Sequence, residues 1–363
     1  MSIFNELNSE DDKFDNSKNE DIFPIVGIGA SAGGLEALEQ FFKNIKPDIG
    51  LAFVVIQHLS PDYKSLMAEL LSKHTEMQIF RVIDGISIQK NCIYLIPPKK
   101  NMTIFHRKLY LTEQNHSLGL NLPIDIFFRS LAEDIGELSI GIILSGTGSD
   151  GTLGIRAIKG AGGLVIVQDE LSAKFDGMPK SAIATGMVDY ILPPNQMGEQ
   201  LIKFLSHPLA VPNETKDEVF SKDDDILTKI LATIRSRSGV DFTYYKPNTI
   251  VRRIERRISV HQIENIHDYY RLLTDSTNEA NILYKDLLIG VTKFFRDFEA
   301  FSILQERVIP EIFKKKVASD GVRVWAAGCS TGEEAYSLAI LFREYMENNG
   351  ISNDVKIFAT DID

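Results

Sequence analysis

From residue 22 onward the chain alternates short unbroken apolar runs with segments of helical period. The runs fall at 25–28, 51–56, 93–96, 140–144 and 164–167, and helical periods cover 35–45, 66–71, 124–135 and 151–159. Strands that are apolar throughout, rather than at alternate positions, have both faces covered. The pattern therefore predicts an α/β fold with a doubly wound, mostly parallel sheet. Residues 102–112 break it and predict a hairpin or an edge insertion. In the first helix Leu35, Leu38, Phe42 and Ile45 form one apolar stripe, and Glu36 sits where the helix macrodipole favours negative charge.

The turn into that helix, Gly29-Ala30-Ser31-Ala32-Gly33-Gly34, is the stretch around which the rest is organised. Gly29-x-Ser31-x-Gly33 matches a nucleophile elbow, in which flanking glycines allow a strained turn that holds a hydroxyl clear of the sheet. Gly27-x-Gly29-x-x-Ala32 also matches a relaxed dinucleotide fingerprint, with a pyrophosphate resting on the helix N-terminus. The third reading is a plain strand-to-helix connection with Ser31 as N-cap. The second run ends in Gln57-His58, where a dinucleotide site wants Asp or Glu for the ribose, so that reading loses its main support.

Length and composition narrow the field. A chain of 363 residues with 44% apolar content can build two or three domains with real cores. A net charge of −11 argues against a broad nucleic-acid footprint. Cys92 and Cys329 are the only cysteines, with no CxxC spacing, which predicts a reducing compartment and no metal site. No apolar run approaches a membrane span and the N-terminus carries no secretory pattern, so the expectation is a cytoplasmic protein without membrane insertion. Residues 1–21, rich in Asp, Glu, Asn and Ser, are expected to form a disordered acidic tail.

His58 leaves the carboxyl end of a strand, the edge at which α/β folds place their ligands and the edge that presents Ser31. A third polar piece, Ser145-Gly146-Thr147-Gly148-Ser149-Asp150-Gly151, again lies between an apolar run and a helix. Asp150 can orient an imidazole or simply cap a helix. The order Ser, His, Asp differs from the familiar hydrolases, but geometry and not order defines a triad.

With these residues in place, residues 22 to about 200 resemble the catalytic domain of chemotaxis-type protein-glutamate methylesterases (CheB-type). The matching stretches are residues 29–34, Val55-Ile56-Gln57-His58, Asp84-Gly85 through Ile93-Tyr94-Leu95-Ile96-Pro97-Pro98, residues 144–151, and Gly177-Met178-Pro179 with Ala182, Gly186, Val188-Asp189 and Leu192-Pro193. The resemblance implies Ser31 as nucleophile, His58 as general base and acid, Asp150 as the orienting carboxylate, no cofactor, and glutamate methyl esters or glutamine amides of chemoreceptor-type proteins as substrates. The backbone amides of Ala32 and Thr147 are the candidate oxyanion donors. Members of that family usually carry a receiver domain ahead of this one, where only the acidic tail stands here. Thr147 occupies a position where Met is common.

Residues 207–224 predict a charged linker. Beyond it Leu227, Ile230, Leu231 and Ile234 fall on one helix face. Ile250, Ile254 and Ile258 fall on another, with Arg252, Arg253, Arg256 and Arg257 beside them. Then come Gly290 through Asp297, residues 323–337 and residues 357–363. Taken alone, residues 322–327 are a strand feeding a glycine turn, and Glu333-Glu334 are first-turn helix charges.

These stretches resemble the chemotaxis-type protein-glutamate methyltransferases (CheR-type). The resemblance implies a small all-α domain at 225–285 whose four arginines approach an acidic receptor surface. It also implies the start of an incomplete Rossmann-like S-adenosylmethionine domain at 286–363. Thr292, Arg296 and Glu333 match cofactor-contacting positions of that family, Gly290 stands where Asn is common, and Asp361 closes a strand where a carboxylate can accept from ribose hydroxyls. The expectation is a fused methylesterase–methyltransferase, its methylesterase domain at 22–206 intact and its second activity incomplete. The opposing expectation is a non-catalytic scaffold that binds receptor-like partners.

Overall fold

The computed structural model describes residues 23–58, 67–114, 121–209, 224–290, 292–314 and 321–362. The acidic tail expected at 1–21, and most of the expected linker, lie outside the described residues.

The chain opens with β1 (Ile25–Ala30), α1 (Gly34–Phe42), β2 (Ala52–Gln57) and α2 (Met67–Leu71). Five short strands follow: β3 (Gln78–Arg81), β4 (Ile86–Ser87), β5 (Cys92–Leu95), β6 (Lys100–Phe105) and β7 (Lys108–Glu113). Next come α3 (Pro123–Ile135), β8 (Ser139–Ile143), α4 (Thr152–Gly160), β9 (Leu164–Gln168), α5 (Gly177–Ala184), β10 (Tyr190–Leu192) and α6 (Pro194–Ser206). Seven strands form one parallel sheet in the order β10-β9-β8-β1-β2-β5-β3. The unbroken apolar runs are its central strands, buried at every position of β1, β8 and β9. Residues 102–112 belong to the antiparallel pair β6–β7, which with β4 makes a separate three-stranded sheet.

Side chains alternate across β1: Val26, Ile28 and Ala30 join α1 and α6 on one face, and Ile25 joins α3 and α4 on the other. On that second face stand Gly27 and Gly29. A Cβ at Gly27 would lie 2.8 Å from Phe128, and one at Gly29 would lie 2.6 Å from Ile124. Glycine there lets α3 sit directly on the central strand. The Gly27-x-Gly29 spacing that matched a dinucleotide fingerprint is thus a packing requirement.

A helical unit follows: α7 (Asp224–Ser238), α8 (Pro247–Val260), α9 (Ile266–Asp275) and α10 (Thr277–Leu288). Its core gathers Ile230, Ile234, Ile250, Ile254, Ile258, Tyr269 and Leu283. Asn265 and Ser276 cap α9 and α10 through their side chains. Then come α11 (Phe298–Ile303) and α12 (Ile309–Lys314), joined by a π turn at 304–308, and the parallel pair β11 (Val322–Ala327) and β12 (Val355–Thr360) flanking α13 (Glu333–Asn349). This pair leaves Trp325 71% and Phe358 53% exposed, in contrast to the fully covered seven-stranded sheet.

The four arginines of α8 do not form a free basic face. Arg253 donates to the carbonyls of Lys159 (2.5 Å) and Gly160 (2.7 Å) at the end of α4. Arg256 lies over the Phe204 ring, 4.3 Å from its centroid. Arg257 grips Glu279 with Nε (2.8 Å) and Nη2 (2.6 Å) and stands 3.5 Å from Asp189. Lys159 links Asp189 (2.5 Å) to Asp286 (3.3 Å). Arg252, more than half exposed, pairs with Glu137 at 3.0 Å.

The expectation that Arg252, Arg253, Arg256 and Arg257 approach an acidic receptor surface is therefore overturned. Three of them are buried, and all four contact the α/β domain of the same chain. Sequence alone shows the charges on one side of a helix but not which surface covers that side.

Breaking this network leaves buried charge unpaired. Lys159→Ala, which strands Asp286 and leaves Asp189 paired with Arg257 alone at 3.5 Å, is expected to cost about 3–5 kcal/mol in chemical denaturation. Burial works to raise the Glu279 pKa, but hydrogen bonds from Arg257 and His261 outweigh it and bring it from 4.5 to about 2. A folded value below the unfolded one contributes stability above pH 4.5 that is lost as the pH falls toward 2. The acid limb of the stability–pH curve should therefore flatten by up to about 3 kcal/mol in Glu279→Gln.

Candidate functional site

The site sits at the carboxyl edge of β2, β1 and β8, where the strand order runs outward in both directions from β1. Backbone bonds tie the three strand ends together. The His58 amide donates to the Ala30 carbonyl (3.1 Å), that of Ser31 to Ser145 (3.0 Å), and that of Leu144 to Gly29 (2.9 Å). Ser31 is half-buried between them and Gly34 N closes the turn on its carbonyl at 2.9 Å. The cap of α1 is Gly33 in the left-handed region (φ 72°), with no side-chain capping bond, so Ser31 is not the N-cap. Ser31 itself has no positive φ, so the strain expected of a nucleophile elbow does not lie at the serine.

Ser145 locks this turn from beneath. It is fully buried, donates its hydroxyl to the Ala32 carbonyl (2.8 Å), accepts the Phe175 amide (3.0 Å), and donates its own amide to Gln168 Oε1 (2.8 Å). Gly146 then passes so close that a Cβ would lie 2.8 Å from Ser31 Cβ and 2.2 Å from Met178 Sδ. The Ala32 carbonyl is used, but the amides of Ala32 and Thr147 donate to no protein acceptor among the described residues.

His58 Nε2 meets Asp150 Oδ2 at 2.7 Å, with the imidazole one-third exposed and the carboxylate buried. Asp150 also accepts the amides of Ile124 (Oδ2, 3.0 Å) and Asp125 (Oδ1, 2.9 Å), the first turn of α3. With Nε2 committed to the carboxylate, Nδ1 is the nitrogen left for a proton from a neighbour. The Ser31 hydroxyl makes no hydrogen bond to His58 among the described residues; in substrate-free sites such bonds commonly tighten only in the complex.

Sequence reasoning missed Ser145, Gln168 and Asp125. Asp125 is buried beside Asp150 and accepts the Gly154 amide at 2.7 Å. Burial raises its pKa, the Gly154 amide lowers it and the Asp150 charge raises it again, leaving it at about 6. The one cue in the sequence was Pro123, a helix-starting residue, with an aspartate two positions on.

A second cleft lies among the helical unit, the end of α4 and the β11–β12 pair, with a volume of about 1300 Å³. Thr292, Arg296 and Asp361 line it, but its wall at the start of α13 is Glu334 and not Glu333. Glu333 is half-buried and accepts from Thr331 Oγ1 at 2.5 Å. Asp361 receives the Ser330 amide at 2.6 Å. Gly328 (φ 71°) and Gly332 (φ 100°) shape the turn between β11 and α13, and a Cβ at Gly328 would meet nothing within 4 Å. The cleft thus offers a carboxylate, a guanidinium and open backbone, a set that fits a ribose and an amino-acid carboxylate. No cluster able to hold a metal ion occurs, and no helix is long and apolar enough to cross a membrane, among the described residues.

Comparison with known proteins agrees with this layout. Residues 26–201 match the CheB methylesterase family, 225–288 the CheR methyltransferase all-alpha domain, and 290–363 the CheR methyltransferase SAM binding domain. A putative protein-glutamate methylesterase/protein-glutamine glutaminase of Leptospira interrogans is 30% identical over 182 residues, covering 50% of this chain and 94% of that protein. An uncharacterized 104.1 kDa protein of Rhodobacter capsulatus is 39% identical over 317 residues, 82% of this chain, and the chain spans 33% of its length. The crystal structure of the Thermotoga maritima CheB methylesterase catalytic domain is similar at 30% identity and a TM-score of 0.46, covering 50% of this chain and 97% of that one. The chain belongs to the CheB methylesterase family, with CheR-type domains following in the same polypeptide.

Because Ser31 Cβ cannot yield as a flexible methionine can, Gly146→Ala is expected to displace the turn that carries Ser31. The cost should be about 1–3 kcal/mol in chemical denaturation. Gly148→Ala, which has open space around it, should cost only the strain of a positive φ.

Proposed function

We propose that this CheB-family chain hydrolyses γ-glutamyl methyl esters on chemoreceptor-type proteins, and glutamine side-chain amides by the same route, with Ser31, His58 and Asp150 as the triad. The observation that carries this reading is the His58–Asp150 hydrogen bond of 2.7 Å at the strand edge that also presents Ser31.

Ser31 Oγ attacks the ester carbonyl carbon and its proton passes to His58 Nδ1. Asp150 holds the ring by Nε2 and offsets the charge that forms on it. Negative charge develops on the carbonyl oxygen, for which the free amides of Ala32 and Thr147 are the donors; one such donor is typically worth about 10²–10³ in rate. His58 returns the proton to the departing methoxide and methanol leaves. Water then repeats the sequence on the acyl-enzyme, releasing a glutamate carboxylate and regenerating the Ser31 hydroxyl. For glutamine the leaving group is ammonia and the balance is otherwise the same.

The match to a SAM binding domain extends the reading to the second cleft. When bound there, S-adenosylmethionine supplies a methyl group for transfer. Asp361 is suited to accept from ribose hydroxyls and Arg296 to meet the carboxylate of the methionyl part. Thr292 lines the same cleft. Glu334 is better placed on its wall than Glu333.

Wild-type protein should release methanol from a methylated receptor peptide, and Ser31→Ala should abolish that release while leaving the melting temperature nearly unchanged. The loss expected on removing a triad serine is about 10⁴-fold or more. An intact-folded wild type that releases no methanol and does not react with an alkyl fluorophosphonate at Ser31 would leave the scaffold reading in its place.

A further inference from the structure

Asp125 has no part in the scheme above, yet it carries a carboxyl into the apolar junction of α3 and α4, where it is 5% exposed. Its Oδ1 accepts the Gly154 amide at 2.7 Å, in the first turn of α4. Its own amide donates to Asp150 Oδ1 at 2.9 Å, while the preceding Ile124 amide donates to Asp150 Oδ2 at 3.0 Å. Asp150 stands two residues ahead of α4. Each aspartate therefore binds the amino-terminal turn of the helix that belongs to the other.

A carboxylate at a helix start is held by oriented amides and by the macrodipole. Three such bonds crossing between the helices fix the separation of the two helix starts and the rotation of the Asp150 side chain. Oδ2 of Asp150 is thereby left facing His58 Nε2 at 2.7 Å. We propose that Asp125 is a positioning residue for the triad: it anchors the start of α4, and through it Asp150, so that His58 meets Ser31 in one orientation. This rests on the hydrolytic reading of the site. Without the Asp125 carboxylate the buried Gly154 amide loses its acceptor, and the segment carrying Asp150 is left tied to α3 only through the amides of Ile124 and Asp125. A displacement of about 1 Å in such a constellation costs on the order of 10²-fold in rate.

The test uses the full chain with Asp125→Ala and Asp125→Asn. Alanine should lower kcat for methyl-ester hydrolysis by about tenfold or more while KM stays within about twofold. It should also weaken the downfield imidazole N–H proton resonance that the His58–Asp150 bond produces. Asparagine, whose amide oxygen can still accept from Gly154, should restore both. The resonance is read without substrate. Its loss in the alanine variant supports the positioning role even if the wild type proves to hydrolyse nothing, which would count against the hydrolytic reading alone. An alanine variant with wild-type kcat and an unchanged resonance overturns the proposal, as does a fall in kcat no larger than the fall in folded fraction. Should alanine prevent folding, Asp125→Glu keeps the charge but sets the carboxylate one methylene farther out. It should lose kcat and the resonance, and a fully active glutamate variant overturns the proposal.

Discussion

The close seating of α3 on the central strand is the constraint on which the rest depends. Two glycines on one face of β1 let Phe128 and Ile124 come down to the backbone, and any side chain at Gly27 or Gly29 would lift the helix away. Because α3 sits this low, its first-turn amides arrive at the level of the strand ends, where Asp150 takes them up. A buried carboxylate with three hydrogen bonds is held in one orientation, which an imidazole partner requires. The position of the polar site therefore follows from apolar packing a full strand-length deep.

Helix α4 joins that site to the rest of the chain. Its first turn holds the loop carrying Asp150, and its last carbonyls are gripped by Arg253 from α8. Around this contact Lys159, Asp189, Asp286, Arg257 and Glu279 form a buried chain of alternating charge. Such a network adds little net stability relative to an apolar interface. It is intolerant of losing any one member, and so specifies a single docking of the two units. Val260 completes the joint by packing into the α1–α6 core, where the Tyr190 hydroxyl also reaches its carbonyl at 2.6 Å.

The consequence for function is that the basic helix is spent within the molecule. An acidic protein with one arginine-rich helix invites the idea of an acidic partner, and here the partner is the neighbouring domain. The second cleft opens beside this joint, lined in part by Arg252, Arg253 and Gly160.

Periodicity alone determined the parallel sheet, the first helix and the helices read at 124–135 and 249–260, because burial on both faces of a strand or on one face of a helix is written in local spacing. Ser31, His58 and Asp150 were legible as a set because each follows an apolar run, and the topology of α/β sheets sends all such ends to one edge. Tertiary structure alone decided that Gly27 and Gly29 serve packing, that Gly33 and not Ser31 caps α1, that Asp125 stands beside Asp150, and that Arg253, Arg256 and Arg257 are buried. Each of those depends on what approaches from a distant part of the chain. A residue's period records that one of its sides is covered, but not by which surface.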